Sequence, residues 1–255
     1  MKFRFSIFSV VLLVAMRVPV ATAFAGGINR IILEQMRQMP TGGAYSSTTF
    51  ATIRLQSAAH FESGKFIIMP GAASPSYCSG ATYLVFLKAI ESMRSIGLLK
   101  LDYASLTSLM IRDQQKDGEG VWGRWNANGP GTARLFYELG LGKNFTDFAQ
   151  AQPGDFMKIF WTKEVGKFEH GHSAIYLGTE MREGVECVRF WSSNNPAGYG
   201  EKSVPLNTIA HVIFSRLQNP ENLSRAGALP FSDAYLAGLL TRRSSFAEAR
   251  AKCGF

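Results

Sequence analysis

The chain has 255 residues, of which 46% are hydrophobic and 18% charged, a composition typical of a globular protein and not of a disordered one. Its formal net charge is +8, but the basic residues are scattered and the longest run is Arg242-Arg243, so nucleic acid is not an expected partner. Three cysteines are too few for a disulfide scaffold.

The first 23 residues have the pattern of a secretory signal peptide. Lys2 and Arg4 precede an apolar run over residues 5–16, and small residues lead up to Ala23. The run is shorter than the roughly 20 apolar residues that cross a bilayer. The pattern predicts cleavage after Ala23, export to the periplasm or outside the cell, and no stable membrane anchor on the mature chain.

Residues 24–255 are predicted to form a single α+β domain, with helices first and an antiparallel meander of strands after them. Apolar residues at helical spacing predict helices over 27–40, 78–90, 101–111, 132–139 and a C-terminal tail, 233–251. Runs of β-forming residues predict strands over 65–69, 156–161, 173–177 and 185–191, with a helix and a strand over 205–215. The remaining segments are an ambiguous stretch, 50–60, and loops over 41–49, 70–76 and 113–131.

Cys78 is the first candidate for chemistry, because it follows a flexible loop and begins a helix that is apolar on nearly all sides. A helix N-terminus stabilises a thiolate, and the free N–H groups of its first turn can also hold a developing oxyanion. The alternative is a structural cysteine, since cysteine is among the most frequently buried residues.

His172 stands at the start of an apolar strand, one strand after the turn Pro153-Gly154-Asp155. If the Cys78 helix packs on the sheet, His172 can take the thiol proton and give a thiolate–imidazolium pair. His170 is a rival for this role. A polar residue on the next strand would fix the tautomer and orientation of the ring. The candidates are Ser192, Ser193, Asn194 and Asn195, with Asn194 preferred.

Three short motifs, in this order, resemble the pattern of the NlpC/P60 and CHAP cysteine peptidases: Tyr77-Cys78-Ser79-Gly80, Pro153-Gly154-Asp155-Phe156, and His-Ser-Ala-Ile-Tyr-Leu-Gly over 172–178. The resemblance covers roughly residues 65–200. It implies a papain-like fold, with the nucleophile helix packed on an antiparallel sheet, Cys78 as nucleophile and His172 as general base. It also implies a cysteine peptidase or amidase that cleaves amide bonds in peptidoglycan. The long interval between the cysteine and the histidine predicts an insertion over 95–150.

Other functions fit the same residues. A papain-like acyltransferase or a general protein protease would share the thioester chemistry. An antibacterial toxin would use that chemistry under the control of an immunity or inhibitor protein. A non-catalytic wall-binding module would keep the fold with an unreactive Cys78.

No cofactor or metal is expected from the sequence. His170-x-His172 has no third ligand at metal spacing, and the Gly-x-Gly-x-x-Gly match over 118–123 lacks the preceding strand of a dinucleotide site. Cys187 and Cys253 either form a disulfide that ties the C-terminal tail to the sheet or stay separate. Two aromatic and two amide residues of the predicted loop either line a groove for a sugar-peptide polymer or pin the loop to the core: Trp122, Trp125, Asn126 and Asn128.

Overall fold

The fold is mixed α+β, as the sequence predicts, and helices cover most of the first part of the chain. The computed structural model describes residues 27–63, 65–112 and 114–255, and the predicted signal peptide over residues 1–23 lies outside these ranges. The helices are α1 (Gly27–Arg37), α2 (Thr49–Ser57), α3 (Cys78–Ser95), α4 (Tyr103–Ser108), α5 (Gly120–Asn126), α6 (Gly131–Leu139), α7 (Ala234–Gly238) and α8 (Phe246–Lys252).

The strands form one large antiparallel sheet and two small antiparallel pairs. They are β1 (Gly42–Gly43), β2 (Ala59–Glu62), β3 (Lys65–Ile68), β4 (Gly142–Phe145), β5 (Phe156–Phe160), β6 (Val165–Gly166), β7 (Gly171–Arg182), β8 (Val185–Asn194), β9 (Gly198–Pro205), β10 (His211–Leu217) and β11 (Arg243–Ser244). Within the described residues the large sheet has the order β1-β9-β8-β7-β5-β10-β4, and the pairs are β2-β3 and β6-β11. The meander of β7, β8 and β9 through neighbouring positions agrees with the predicted antiparallel sheet.

Helix α3 is the main helix packed on the sheet. Twelve of its eighteen residues are buried, because apolar side chains occur on nearly all of its sides. It lies against α1 and α5 and against strands β7 and β8. This packing places Cys78, the first residue of α3, beside Gly171 and Ser173 at the start of β7.

The segment 113–131 is not the surface loop that its composition predicts, because residues 120–126 form helix α5. Trp122 and Trp125 are only 2% and 1% exposed. Arg124 is fully buried, donates to backbone carbonyl oxygens and pairs with Glu138 at 2.7 Å. Glycine and asparagine disfavour a helix locally, so burial of the indoles and the arginine contacts stabilises α5 in the tertiary fold.

Three other segments also differ from the prediction. Strand β9 was not predicted, because its residues are mostly polar or glycine and carry no clear alternation. Over 205–215, the helical part is a single 3-10 turn at 206–208 before β10. The C-terminal tail is divided into α7, β11 and α8 and is not a continuous helix.

The turn that contains Asp155 joins the sheet to α1. The Asp155 carboxylate is fully buried and accepts two hydrogen bonds from the Arg216 guanidinium, at 2.8 and 2.7 Å, and one from Asn29 at 2.8 Å. The backbone of Gly154 and Asp155 exchanges hydrogen bonds with Tyr176 on β7. The Asp155 side chain therefore fixes how β5, β7 and α1 meet, and its role is structural.

Candidate active site

Cys78 occupies the position that the sequence predicts, at the first turn of α3, and its side chain is half-buried. Tyr77 precedes it in an extended conformation and provides no side-chain cap, so the first N–H groups of the helix remain available for a bound oxygen. The loop before the helix is held by hydrogen bonds from Tyr199 Oη to the Ala73 carbonyl and from Ser76 Oγ to Ser193 Oγ. These hydrogen bonds fix the position of the loop that precedes Cys78.

His172 and Asn194 lie side by side at the ends of β7 and β8. The distance from His172 Nε2 to Asn194 Oδ1 is 3.2 Å. Asn194 Nδ2 donates to the carbonyl oxygens of Gly200 (2.8 Å) and Ser192 (3.3 Å). Because the amide nitrogen has these two acceptors, the oxygen faces the imidazole, and Nε2 must carry the proton that it donates. Nδ1 is then the unprotonated nitrogen that can accept the thiol proton.

The imidazole of His172 acts directly on the Cys78 thiol. Burial by itself raises the pKa of this thiol, but a hydrogen bond to His172 and the charge of His172 outweigh it. The backbone N–H of Ser173 and the charge of Lys158 add to the effect, and the pKa falls from 9.0 to about 6. At neutral pH the thiolate is therefore the main form, which is the form that attacks carbonyl carbons.

The other candidates for the orienting residue have other partners or are exposed. Ser192 Oγ donates to the Ser173 carbonyl at 2.6 Å, and Ser193 Oγ accepts from Ser76 at 2.8 Å. Asn195 is exposed. His170, the rival base, is also exposed; it lines the same cavity as His172, but His172 is the histidine that acts on the Cys78 thiol. The geometry therefore brings together Cys78, His172 and Asn194.

Tyr45 is a site residue that the sequence analysis missed. Its hydroxyl is hydrogen-bonded to Cys78, and burial together with the adjacent thiolate raises the pKa of Tyr45 well above its usual value. The backbone N–H of Tyr45 donates to the Pro196 carbonyl at 3.0 Å, and a parallel bridge joins Tyr45 to Ser76 just before α3. A tyrosine in a Gly/Ser/Thr segment carries no sequence signal that would link it to a cysteine 33 positions later.

Two cavities meet at Tyr45 and Gly171. The first, of about 500 Å³, contains Cys78 and is lined mainly by hydroxyl, amide and charged groups. The second, of about 280 Å³, contains His172 and Asn194. We name them the Cys78 cavity and the His172 cavity. The cysteine and the histidine thus lie at the junction of an extended cleft.

The predicted insertion contributes one wall of the Cys78 cavity. Asn126 and Asn128 line it, as one of the two interpretations of this segment requires, and Asn126 Oδ1 accepts from Ser79 Oγ at 2.6 Å. Trp122 and Trp125 do not line a groove, because both indoles are buried in the core around α3. The two amide side chains thus line the cavity, and the two indoles hold the segment in the core.

Cys187 and Cys253 are free thiols and do not form a disulfide. Cys187 lies on β8, and Cys253 is buried in a separate cluster with Ala133 and Phe160. Burial raises the pKa of Cys253 to about 12. Cys253 is therefore unreactive at neutral pH, in contrast to Cys78.

Comparison with protein-family models, with curated proteins and with solved structures finds no match for this chain. Within the described residues, no helix has the length and apolar character to cross a membrane. The same part of the chain holds no group of three or more His, Cys, Asp or Glu side chains arranged for a metal ion. What the site can do follows from its own side chains.

Proposed function

We propose that this protein is a cysteine hydrolase that cleaves an amide bond through a thioester on Cys78. One observation carries the proposal: the imidazole of His172 lowers the pKa of the Cys78 thiol, and the His172 ring is held in one tautomer by Asn194. The same three elements, a nucleophile, a base and a group that orients the base, define triad catalysis on unrelated folds.

In the first half of the reaction, the Cys78 thiolate attacks the carbonyl carbon of the scissile amide. A C–S bond forms, and the electron pair of the C=O bond moves to the oxygen. We assign the backbone N–H of Cys78, at the helix N-terminus, and the hydroxyl of Tyr45, beside the thiol, as the donors to this oxygen, since such donors stabilise the charge of the intermediate. His172 then gives the proton on Nδ1 to the amide nitrogen, the C–N bond breaks and the amine leaves.

In the second half, His172 Nδ1 takes a proton from water. The hydroxide attacks the thioester, the C–S bond breaks, and a carboxylic acid and the Cys78 thiolate are released. Asn194 keeps Nδ1 directed at the reacting atoms in both its protonated and unprotonated forms, because the Asn194 Oδ1 holds the proton on Nε2. No group outside the chain and water is needed for these steps.

We further propose that the fold is of the papain-like NlpC/P60 type, that the substrate is a peptidoglycan peptide and that the protein is exported. The chain order of Cys78, His172 and Asn194 and the placement of the cysteine at the start of the buried helix support the fold type. The polar lining of the Cys78 cavity fits a substrate rich in amides and hydroxyls better than an apolar protein segment. The pattern over residues 1–23 supports export.

The test is digestion of purified peptidoglycan by the mature protein, with fragments identified by mass spectrometry. The Cys78→Ala variant is compared with Cys187→Ala, which removes a buried thiol remote from the cleft. We expect defined peptide fragments from the wild type and from Cys187→Ala and none from Cys78→Ala. If all three proteins bind the wall and none cleaves it, the result would contradict the hydrolase proposal and favour a wall-binding module. If the protein neither cleaves nor binds peptidoglycan, the substrate assignment is overturned.

A further inference from the structure

The Cys78 cavity holds three charged side chains, and two of them neutralise each other. Lys158 Nζ lies 2.6 Å from Glu169 Oε1, and these side chains are 13% and 2% exposed. Glu169 Oε2 accepts from the backbone N–H groups of Gly129 (2.7 Å) and Gly166 (2.9 Å). Both oxygens of Glu169 are therefore engaged within the protein, and Glu169 has no free charge for a ligand.

The third charged group, Asp117, has a different environment. Its Oδ2 accepts the backbone N–H of Asn128 at 3.0 Å, and its carboxylate is also bonded to the side chain of Asn126. Asp117 is half-buried, and among the described residues no cationic side chain lies within 4.0 Å of it. Burial raises the pKa of the Asp117 carboxyl, and the backbone N–H of Asn128 and the charge of Lys158 oppose this effect. Among the described residues that line the cavity, Asp117 is the acidic group without an ion-pair partner.

Asp117 is fixed relative to the nucleophile. Ser79 Oγ donates a hydrogen bond to Asn126 Oδ1 at 2.6 Å. Because the amide oxygen is on this side, the amide nitrogen of Asn126 faces Asp117. Ser79 is the residue after Cys78 in the first turn of α3. The contacts from Ser79 through Asn126 to Asp117 thus connect the carboxylate to the first turn of α3.

The other end of the cleft has the opposite charge. The His172 cavity is lined by Lys202 and His170, and no Asp or Glu is among the described residues that line it. A carboxylate is therefore available on only one side of the reacting groups. A substrate with a positive charge on one side of the scissile bond would be oriented by this difference.

We propose that Asp117 binds a protonated primary amino group of the substrate, so that the enzyme selects amides with an ammonium group on the part that enters the Cys78 cavity. The proposal rests on the proposed function of Cys78. An ammonium offers three donors and one positive charge, which match a carboxylate whose remaining lone pairs face the cavity. The chemical class is therefore a peptide with a free terminal amine or a diamino acid side chain.

The test uses N-acetylated amino acid chloromethyl ketones, in which the Cys78 thiolate displaces chloride and forms a thioether. Diaminobutyrate, ornithine and lysine derivatives carry the ammonium at three lengths, and norvaline and norleucine derivatives are the uncharged controls. Alkylation rates are measured by intact mass for the wild type, for Asp117→Asn and for Glu186→Gln, which removes an exposed carboxylate at the far end of β8. Iodoacetamide, a small neutral reagent, reports the thiolate itself.

We expect the wild type and Glu186→Gln to react at least about tenfold faster with one of the amino reagents than with its uncharged partner, since close charge pairs discriminate by this much or more. In Asp117→Asn that ratio falls to about one, and the iodoacetamide rate is unchanged. Rapid iodoacetamide labelling without an amine preference at any length overturns the subsite and leaves the proposed function intact. A preference that persists in Asp117→Asn overturns the assignment to Asp117. Failure of iodoacetamide to label Cys78 at pH 7 overturns the proposed function itself.

Discussion

Asn194 accepts a hydrogen bond from His172 Nε2 at 3.2 Å while its own amide nitrogen is committed to two backbone carbonyls. A side-chain amide can be placed in either of two orientations, and only its surroundings decide between them. Here the two carbonyls decide: the oxygen faces the imidazole, and the basic nitrogen of the ring is left for Cys78. The hydrogen bond from His172 to Asn194 therefore determines which ring nitrogen can exchange a proton with Cys78.

Replacing Asn194 by alanine should lower kcat by about 10- to 100-fold, the usual cost of losing a group that orients a reacting residue. The ring of His172 would then be free to adopt the other tautomer. Steady-state kinetics on a cleaved peptide would measure the change. The control is Asn207→Ala, which removes an exposed amide on the 3-10 turn before β10 and should retain wild-type kcat. Equal losses in the two variants would contradict the orienting role.

The reactivity of Cys78 should follow a pKa of about 6. The pKa is lowered in the folded protein, so the thiolate predominates above pH 6 and is lost as the pH falls through this value. The rate of alkylation by iodoacetamide should therefore rise between about pH 5 and pH 7 and then level off, one unit on either side of the midpoint.

In the His172→Ala variant the same rise should move to pH 9 or above, because burial of the thiol remains and the compensating imidazole is gone. Mass spectrometry at each pH would identify Cys78 as the labelled residue and exclude Cys253, whose pKa is about 12. A midpoint that stays near 6 without the histidine would show that another group stabilises the thiolate.

If the Tyr45 hydroxyl donates to the oxyanion, Tyr45→Phe should lower kcat by about 100- to 1000-fold, the effect of losing one such donor in acyl-transfer enzymes. The alkylation midpoint of Cys78 should rise only slightly, since the largest effects that lower the pKa of the thiol come from His172, Ser173 and Lys158. Separation of these two readouts distinguishes an oxyanion donor from a residue that only activates the thiol. If the alkylation midpoint of Cys78 shifts strongly and kcat stays unchanged, Tyr45 is not an oxyanion donor and acts on the thiol instead.

The buried ion pair between Asp155 and Arg216 should be important for stability. Asp155→Asn leaves the guanidinium of Arg216, which is 17% exposed, without its charged partner, and should lower the free energy of unfolding by about 3 kcal/mol. Urea denaturation would measure this. The exposed pair of Arg189 and Glu201, disrupted in Glu201→Gln, should change the same quantity by less than about 1 kcal/mol. Similar losses for both variants would contradict the structural role of Asp155.

Local sequence predicts the elements whose residues bury one another over a short span. The helix that begins at Cys78 was predicted because apolar side chains surround it, and the strand that begins near His172 because β-branched and aromatic residues follow it. The same reasoning failed for α5, whose glycine and asparagine content indicates a loop. Its helical state depends on burial of Trp122 and Trp125 against residues distant in the chain.

The site divides in the same way. Cys78 and His172 could be proposed from the sequence, because each stands at a recognisable start of a helix or strand and the residue type limits the chemistry. Asn194 was the preferred one of four polar candidates, and its hydrogen bond to His172 distinguishes it from the other three. Tyr45 and Asp117 could not, since neither belongs to a pattern; they reach the cleft because two loops pair beside α3 and because Asn126 connects the insertion to Ser79. The sequence alone thus determined which residues are able to react. Only the tertiary structure decided which tautomer His172 adopts, which donors face the thiol and where the cleft carries charge, because these depend on contacts between residues far apart along the chain.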